Sequence, residues 1–291
     1  MAEPAPRVAF LGPASSYSHE AATTIFGPGQ AWCPRGTIAE VIEDVGVGHE
    51  YGVVPIENTT DGRVVDTLAR LIRGDRTIVG EHRLAIHHNL MVAPETGDVT
   101  EVRSKPQALS QCRRFLATHH PGVRQIAVAS TAAAAGQAAD EPGVAAIASA
   151  AAAEAHGLRV LRRNIEDRSN NVTRFVVLGR EPVAATGRDK TSLVFQVDHR
   201  PGSLADAMMV FKNHRLNLTF IESFPCPDRE SEYQFFVELT GHRDDAAVSE
   251  AIDALGSITR RLVWLGSYPS DASEPIADPP PSMADGSSPE R

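Results

Sequence analysis

An alternation of short apolar segments with helix-forming segments constrains the first 180 residues most strongly. Strand-like runs such as residues 8–12, 51–57 and 144–148 are each followed by a segment typical of a helix. Between residues 131 and 155, 14 of 25 residues are alanine, the best helix former. This alternation predicts an α/β fold with mostly parallel sheets. We expect a helix over residues 62–73 and one longer strand over residues 84–92.

The remainder of the chain divides into a linker, a smaller domain and a tail. Residues 180–189 (REPVAATGRD) lack periodic apolar positions, which predicts a linker between domains at residues 7–180 and 190–267. The second domain shows strand and helix signals in the ferredoxin-like order βαββαβ, with Ser203 as the candidate N-cap of its first helix. The 24 residues of 268–291 include six Pro and five Ser, a composition that predicts a disordered acidic tail.

The charge balance and the cysteines exclude several classes of protein. Lys and Arg number 28 against 37 Asp and Glu, a net charge of -9, so we expect no nucleic-acid partner. No apolar run approaches the ~18 residues of a membrane span, and the N-terminus lacks a signal-peptide layout, so we expect no membrane association. Three isolated cysteines predict reduced thiols and a cytoplasmic location. The histidines form no metal-binding motif, and we expect no metal.

Polar side chains follow several of the predicted strands at the points where the helices begin. In α/β folds the carboxyl ends of strands bind ligands, and the free N–H groups of a helix start suit an anion. Each of these residues is also an ordinary candidate for a helix N-cap. Four such positions together favour a cleft that holds carboxylates. The candidates are Ser16 and Tyr17, then Asn58, Thr59 and Thr60, then Ser130 and Thr131, and Ser149.

The segment NNVTRF at residues 170–175 combines two amides, a hydroxyl and a guanidinium at the start of an apolar strand. Asn171 and Phe175 lie on either side of Thr173 and Arg174, the two residues whose side chains suit binding or catalysis. Arg174 has the fork geometry that binds a carboxylate in a bidentate manner. Thr173 could donate a hydrogen bond to a leaving oxygen. The same residues are also typical of an Asn-Asn turn followed by a half-buried strand, and the pattern alone leaves both readings open.

Seven strings, taken together and in order, resemble the prephenate dehydratase family. In the first domain they are LGPASSYSHEAA (11–22), GVVPIENTTDGRVVDTL (52–68), SKPQALSQC (104–112), STAAAA (130–135) and NNVTRF (170–175). In the second domain, PGSLA (201–205) and IESFP (221–225) resemble the ligand motifs of the amino-acid-binding ACT module that follows in this family. The resemblance covers about residues 7–267.

This resemblance implies a bilobed first domain similar to type 2 periplasmic-binding folds, with the substrate in the cleft between the lobes. The chain would cross between the lobes near residues 83–87 and 164–167. The family converts prephenate to phenylpyruvate, carbon dioxide and water without a cofactor, and Thr173 occupies the position of its essential threonine. Glu57 is the candidate general acid, although a strand-end carboxylate that caps a helix or pairs with an Arg is an equally good interpretation.

The resemblance also implies control by L-phenylalanine bound between paired ACT modules, and hence a homodimer or homotetramer. The implied effector residues are Pro201, Gly202, Ser203, Leu204, Glu222, Ser223, Phe224 and Pro225. The sequence departs from the family at Ser15, where Gly is usual, at Lys105, where His is common, and at Ser203, where Ala is usual. It also departs at Phe224, where Arg is usual, which puts phenylalanine control in question.

Three other functions fit the same resemblance. An arogenate dehydratase would accept the amino analogue of prephenate, and a prephenate decarboxylase would keep the ring hydroxyl. The intact NNVTRF string argues against the decarboxylase, which needs no donor to a leaving hydroxyl. A non-catalytic amino-acid sensor is a third alternative, since both domains bind ligands by architecture.

Overall fold

Two crossings of the chain divide the first domain into two lobes. The structure is a computed structural model that describes residues 5–226 and 232–271. Lobe 1 contains β1 (Arg7–Leu11), α1 (Tyr17–Phe26), β2 (Ala31–Arg35), α2 (Ile38–Asp44), β3 (Tyr51–Asn58), β4 (Gly62–Arg63), α3 (Val65–Leu71) and β5 (Thr77–Ala85).

Lobe 2 follows the first crossing, at residues 86–88. It contains β6 (Asn89–Val92), β7 (Glu101–Ser104), α4 (Pro106–Gln111), α5 (Arg113–His119), β8 (Arg124–Ala127), α6 (Thr131–Asp140), β9 (Val144–Ala148), α7 (Ala150–Ala155) and β10 (Arg159–Arg162). The chain then returns over residues 163–171 and completes lobe 1 with β11 (Val172–Gly179). These crossings confirm the bilobed architecture that the sequence predicted.

The second domain has the predicted order βαββαβ. Its elements are β12 (Asp189–Gln196), α8 (Ser203–Asn213), β13 (Leu218–Pro225), β14 (Tyr233–Thr240), α9 (Ala246–Ile258) and β15 (Arg261–Pro269). The strands form an antiparallel sheet in the order β13-β14-β12-β15, and one face of this sheet packs against α8 and α9. The fold is therefore α/β, as expected.

Both sheets of the first domain are mixed, so the expectation of mostly parallel sheets is wrong. In lobe 1 the order is β2-β1-β3-β11-β5, and β11 runs antiparallel to both of its neighbours. In lobe 2 the order is β10-β6-β9-β7-β8, and β6 pairs antiparallel with β9 and β10. Apart from the short β3–β4 pair, every antiparallel pair in these two sheets contains β6 or β11, the strands that follow the two crossings, whereas the helical connections within each lobe give parallel pairs.

Several element boundaries differ from the sequence prediction. The strand expected over residues 84–92 is broken into β5 and β6, because residues 86–88 cross between the lobes. The helix expected over residues 62–73 begins only at Val65, after Gly62 and Arg63 pair with β3 as β4. The N-cap of α8 is Gly202, with φ of +88°, and Ser203 is its first helical residue.

The expected tail began at Tyr268, but Tyr268 is fully buried in β15. Residues 272–291 lie outside the described residues.

One apolar cluster joins the two domains. In lobe 1 it includes Ile56, Ile78 and Val176, and in the second domain it includes Phe236 and Tyr268, all fully buried. The open face of the second sheet therefore docks on lobe 1 rather than facing water. Burial of this kind contributes about 25 cal/mol per Å² of apolar surface, so this cluster stabilises the docked arrangement of the two domains.

Gly266 of β15 lies where the two domains approach most closely. Its φ is +147°, and a Cβ built there would lie 2.0 Å from the carbonyl oxygen of Ile78 in β5. No side chain fits against that backbone atom, so this position requires glycine.

We predict that Gly266→Ala lowers the free energy of unfolding by about 3 kcal/mol and Tm by about 6 °C, because the methyl group forces β15 away from β5. Gly187→Ala is the matched control. Gly187 also has a positive φ, of +85°, but a Cβ there meets nothing within 4 Å. The control should lose only about 1 kcal/mol from backbone strain. Calorimetric unfolding of both variants measures the difference, and equal losses would contradict the close approach.

Candidate active site

A cleft of about 650 Å³ lies between the two lobes and contains most of the predicted site residues. Lobe 1 contributes side chains from α1, β3, β4 and β11, and lobe 2 contributes side chains from the starts of α4 and α6. The crossing segments form its base. Eight predicted residues line this cleft: Ser16, Tyr17, Asn58, Ser130, Thr131, Asn171, Thr173 and Phe175.

Thr173 and Asn58 face each other across neighbouring strands. They are register partners in the pairing of β11 with β3, and Asn58 Nδ2 donates to Thr173 Oγ1 at 2.8 Å. The orientation of the Asn58 amide is fixed, because its Oδ1 accepts from the backbone N–H groups of Thr60 and Asp61 at 2.8 and 2.9 Å. Thr173 therefore accepts from Asn58, and no described residue accepts from Thr173. The Thr173 hydroxyl proton is thus available to a ligand in the cleft.

A chain of hydrogen bonds continues from Asn58 to the floor of the cleft. Asn58 Nδ2 also donates to Asn171 Oδ1 at 2.8 Å, and Asn171 Nδ2 donates to Gln111 Oε1 at 3.0 Å. The same Gln111 oxygen lies 2.7 Å from Nε2 of His88. Because that oxygen can only accept, Nε2 of His88 carries a proton. Burial lowers the pKa of His88, which favours the neutral ring.

Tyr17 and His88 occupy the junction between the lobes. The Tyr17 hydroxyl lies 2.9 Å from Nδ1 of His88 and 2.8 Å from the His87 carbonyl oxygen, to which it can donate. Burial raises the pKa of Tyr17 well above its ordinary value, so the phenol keeps its proton. Tyr17 belongs to lobe 1 and His88 to the crossing segment, so this contact joins lobe 1 to the first crossing beside the cleft.

The two crossing segments are hydrogen-bonded to each other. Ile86 N donates to Asn171 O and Ile165 N donates to His88 O, both at 2.8 Å. Glu166 accepts from His88 N at 2.9 Å and lies 2.8 Å from Nδ1 of His87. Burial alone would raise the pKa of Glu166, but these hydrogen bonds hold it below its ordinary value. The crossings thus form one ordered hinge.

Two cationic side chains line the cleft. The sequence analysis assigned neither of them to the substrate. Arg63 comes from β4 of lobe 1, and Lys105 occupies the N-cap position of α4 in lobe 2. Asp61 and Asp66 also line the cleft. Lys105 had drawn notice only as a departure from the family, whereas Arg63, His88 and Gln111 were missed. The only local signal was a cluster of polar residues interrupting an apolar run at 86–89.

The helix starts at the cleft are capped as the sequence predicted. Ser16 caps α1 by accepting from His19 N, and Ser130 caps α6 by accepting from Ala133 N. The remaining N–H groups of each first turn have no partner within their own helix and lie at the positive end of its dipole. Ser15 keeps a left-handed backbone, with φ of +61°, so serine preserves the loop shape for which glycine is usual.

Five predicted residues do not line the main cleft. Ser149 is buried as the cap of α7, and Thr60 lines a neighbouring pocket. Thr59 donates to Asn170 O and accepts from Val172 N, which fastens the start of β11. Arg174 and Glu57 are register partners on the opposite face of the sheet from Thr173 and Asn58.

The structure corrects the expected roles of Arg174 and Glu57. Arg174 Nε lies 3.3 Å from Glu57 Oε2, and both side chains point toward the second domain. Successive residues of a strand face opposite sides of its sheet, so Arg174 cannot share the cleft with Thr173. Arg174 therefore does not hold a ligand carboxylate there, and Glu57 pairs with an Arg, which was the alternative interpretation from the sequence.

The implied effector residues lie at two positions of the second domain. Pro201 and Gly202 form the turn before α8, and the Ser203 hydroxyl is buried without a hydrogen-bond partner among the described residues. On the edge strand β13, Ser223 and Pro225 are exposed.

Two other implied effector residues face the first domain. Glu222 lies 3.1 Å from Arg63, and Phe224 packs against the cluster that joins the domains. Leu204, at the start of α8, is partly exposed. Phe224 thus makes an apolar domain contact at the position where arginine is usual.

The part of the chain that the structure describes offers neither a metal site nor a membrane span. In residues 5–226 and 232–271, no three His, Cys, Asp or Glu side chains come together in a way that could hold a metal ion. Across the same ranges, no helix is long and apolar enough to cross a membrane.

Comparisons with known proteins identify the family to which this chain belongs. The prephenate dehydratase family profile matches residues 8–183, and the ACT domain profile matches residues 191–257. A bifunctional chorismate mutase/prephenate dehydratase from Pseudomonas aeruginosa is 38% identical over 266 residues, which cover 90% of this chain and 73% of that protein. The chain belongs to the prephenate dehydratase family.

Two solved structures share the fold over nearly the whole chain. A prephenate dehydratase from Arthrobacter aurescens, solved in complex with L-Phe, is 30% identical with a TM-score of 0.86, covering 93% of this chain and 92% of that chain. GqqA, described as a novel type of quorum quenching acylase, is 32% identical with a TM-score of 0.82, covering 91% of this chain and 98% of that chain.

Proposed function

We propose that this protein converts prephenate to phenylpyruvate in the cleft centred on Thr173, in the cytoplasm and without a cofactor. One observation carries the proposal: the Thr173 hydroxyl accepts from Asn58 Nδ2 at 2.8 Å, which leaves its own proton available for donation into the cleft. Residues 7–180 form the catalytic domain and residues 190–267 the regulatory domain. Glu57 and Arg174 are not part of the reacting site.

The reaction places two demands on the cleft. Prephenate carries two carboxylates and a ring hydroxyl. Loss of carbon dioxide and of the hydroxyl makes the ring aromatic, which supplies the driving force. The protein must bind a dianion and stabilise the departing oxygen: the electron pair released with carbon dioxide expels hydroxide, which takes up one proton from the solvent and leaves as water. A threonine hydroxyl is a poor acid, so Thr173 acts as a positioned hydrogen-bond donor to that oxygen.

The carboxylates have partners on both lobes. Arg63 of lobe 1 and Lys105 of lobe 2 provide the positive charge, and the first turns of α1 and α6 provide backbone N–H donors. Tyr17, Ser130 and Thr131 add polar contacts along the cleft wall. A dianion that contacts cations from both lobes favours their closure, which excludes water from the reacting ring.

The first test replaces Thr173 by Val, which keeps the shape but removes the hydroxyl. We expect kcat for phenylpyruvate formation to fall about 10²- to 10³-fold, since one transition-state donor is lost. Thr173→Ser is the matched control and should keep most of the activity. Circular dichroism checks that both variants remain folded.

Identification of the wild-type product separates this function from its alternatives. Phenylalanine formed from arogenate alone would indicate an arogenate dehydratase, and a non-aromatic decarboxylated product would indicate a decarboxylase. Amino-acid binding without turnover would favour a sensor. Release of an acyl group from an acylated amine, with no phenylpyruvate from prephenate, would favour the acylase activity described for the neighbouring structure.

The second test concerns the cleft cations. Arg63→Gln and Lys105→Gln should each raise KM for prephenate about 10-fold, because a charge-assisted contact to a carboxylate is worth about 1.5–3 kcal/mol. We expect kcat to change much less. Arg113→Gln removes a nearby exposed cation that does not line the cleft and should leave KM unchanged. A KM unchanged in all three variants would contradict the proposed carboxylate contacts.

We also propose that L-phenylalanine binds the second domain and inhibits the reaction, with two copies pairing as a homodimer or a homotetramer. The unpartnered buried hydroxyl of Ser203 and the exposed edge of β13 support this proposal. Effector binding at such an interface shifts the balance between open and closed lobes.

The third test measures L-phenylalanine binding by calorimetry and the oligomeric state by sedimentation in the same samples. Leu204→Asp should weaken binding more than 10-fold, because it places a charge beside an apolar ligand. Ile258→Asp, at another exposed apolar position, is the matched control and should bind as wild type does. No heat of binding to the wild-type protein would refute phenylalanine control.

A further inference from the structure

Behind Thr173, on the other face of β11, lies a buried cluster of charges that we term the ionic junction. It consists of Arg174, Glu57, Glu81, Lys190, Glu238 and Tyr268. Arg174 is on β11, Glu81 on β5 and Glu57 on β3, all in lobe 1. Lys190, Glu238 and Tyr268 are on β12, β14 and β15 of the second domain. The junction therefore joins the strand that carries Thr173 to the regulatory sheet.

Arg174 is at the centre of the junction. Its Nη1 lies 2.8 Å from Glu238 Oε2 and 3.1 Å from Glu81 Oε2. Lys190 Nζ lies 3.1 Å from Glu81 Oε1, and the Tyr268 hydroxyl donates to Glu238 Oε1 at 3.2 Å. Burial alone would lower the pKa of Arg174, but Glu238, Tyr268 and Glu81 raise it well above its ordinary value, so the guanidinium is charged.

Apart from Glu57 at its edge, which is 41% exposed, the junction is protected from water and salt. The Arg174, Glu238 and Glu81 side chains are 4%, 1% and 0% exposed. An exposed ion pair is screened and contributes little, whereas a buried cation that loses one of its partners keeps an uncompensated charge. Arg174 therefore has a strong preference for one position, which in turn fixes the backbone of β11 at residue 174.

The way in which β11 pairs with β3 makes the position of Arg174 important for Thr173. The register of that pair shifts between Arg174 and Phe175, so the ladder to β3 is interrupted directly after Arg174, one residue beyond Thr173. A bulge re-aims the side chains beside it, and Arg174 is the residue of β11 that stands at this irregularity. A catalytic donor must be held to within about 0.5 Å, and Arg174 is the adjacent anchor.

We propose that Arg174 is a positioning residue for Thr173, held from behind by Glu238 of the second domain. This inference rests on the proposed function. The regulatory domain then forms part of the catalytic site, because it supplies the carboxylate that fixes the strand under Thr173. A rearrangement of the second domain's sheet that moves Glu238 also moves Arg174, and through Arg174 it changes the position of Thr173.

The test compares Glu238→Gln with Arg261→Gln. The first variant keeps the size of residue 238 but removes the charge that holds Arg174. The second weakens the contact between the domains elsewhere, because Arg261 donates to the carbonyl oxygens of Ile72 and Arg73 at 3.1 and 2.6 Å. We expect Glu238→Gln to lower kcat about 10-fold with KM changed less than 2-fold. Arg261→Gln should lose less Tm than Glu238→Gln, because its contacts are partly exposed, and it should keep its kcat.

A readout independent of turnover completes the experiment. The Thr173 methyl resonance, assigned by its loss in Thr173→Val, should shift in Glu238→Gln and in Arg174→Lys but not in Arg261→Gln. If the wild-type protein makes no phenylpyruvate, the proposed function fails, and the methyl shift alone then decides the positioning role. Equal kcat losses in both domain-contact variants, or an unmoved Thr173 methyl in Glu238→Gln, would overturn the proposal.

Discussion

The insertion of β11 between β3 and β5 is the constraint on which the rest of the structure depends. The chain leaves lobe 1 after β5, builds the whole of lobe 2, and returns to fill the gap in the first sheet. Val176 and Leu178 of β11 are fully buried, so the core of lobe 1 is incomplete until the return strand pairs. Because β11 begins directly after the second crossing, its first residues lie at the hinge and at the cleft together. The position of the active site follows from this connection.

The alternation of side chains along β11 and β3 gives the first sheet two separate tasks. Thr173 and Asn58 face the cleft, and their register partnership places a donor beside an acceptor. Arg174 and Glu57, one residue along each strand, face the second domain and form part of its docking surface. A shift of one residue in this pairing would exchange the two sets and destroy both surfaces. The apolar cluster and the ionic junction behind the strand oppose such a shift.

The sequence pattern predicted the βαββαβ order of the second domain, and the family resemblance implied the two crossings and eight of the residues that line the cleft. It placed Glu57 and Arg174 in the cleft because a motif names residues without giving the face of the strand on which they lie. Because β11 begins at Val172 and includes Thr173, alternation along the strand places Arg174 and Thr173 on opposite faces of the sheet. His88 and Gln111 were missed because they reach the site from the crossing segment and from the end of a short helix, and the only local signal was the polar cluster that interrupts the apolar run at 86–89. Tyr268 was assigned to the tail because Pro and Ser follow it, whereas its burial depends on contacts with distant strands.

The mutual hydrogen bonding of the two crossings has a consequence for how the cleft works. Asn171 and His88, which support the network around Thr173, belong to the crossings themselves. Points on an axis of rotation do not travel when the bodies on either side swing. If lobe 2 turns about these segments, the proposed centre around Thr173 therefore keeps its hydrogen bonds while the walls of the cleft move apart. Opening and closing the cleft would then not require the network around Thr173 to be broken and re-formed.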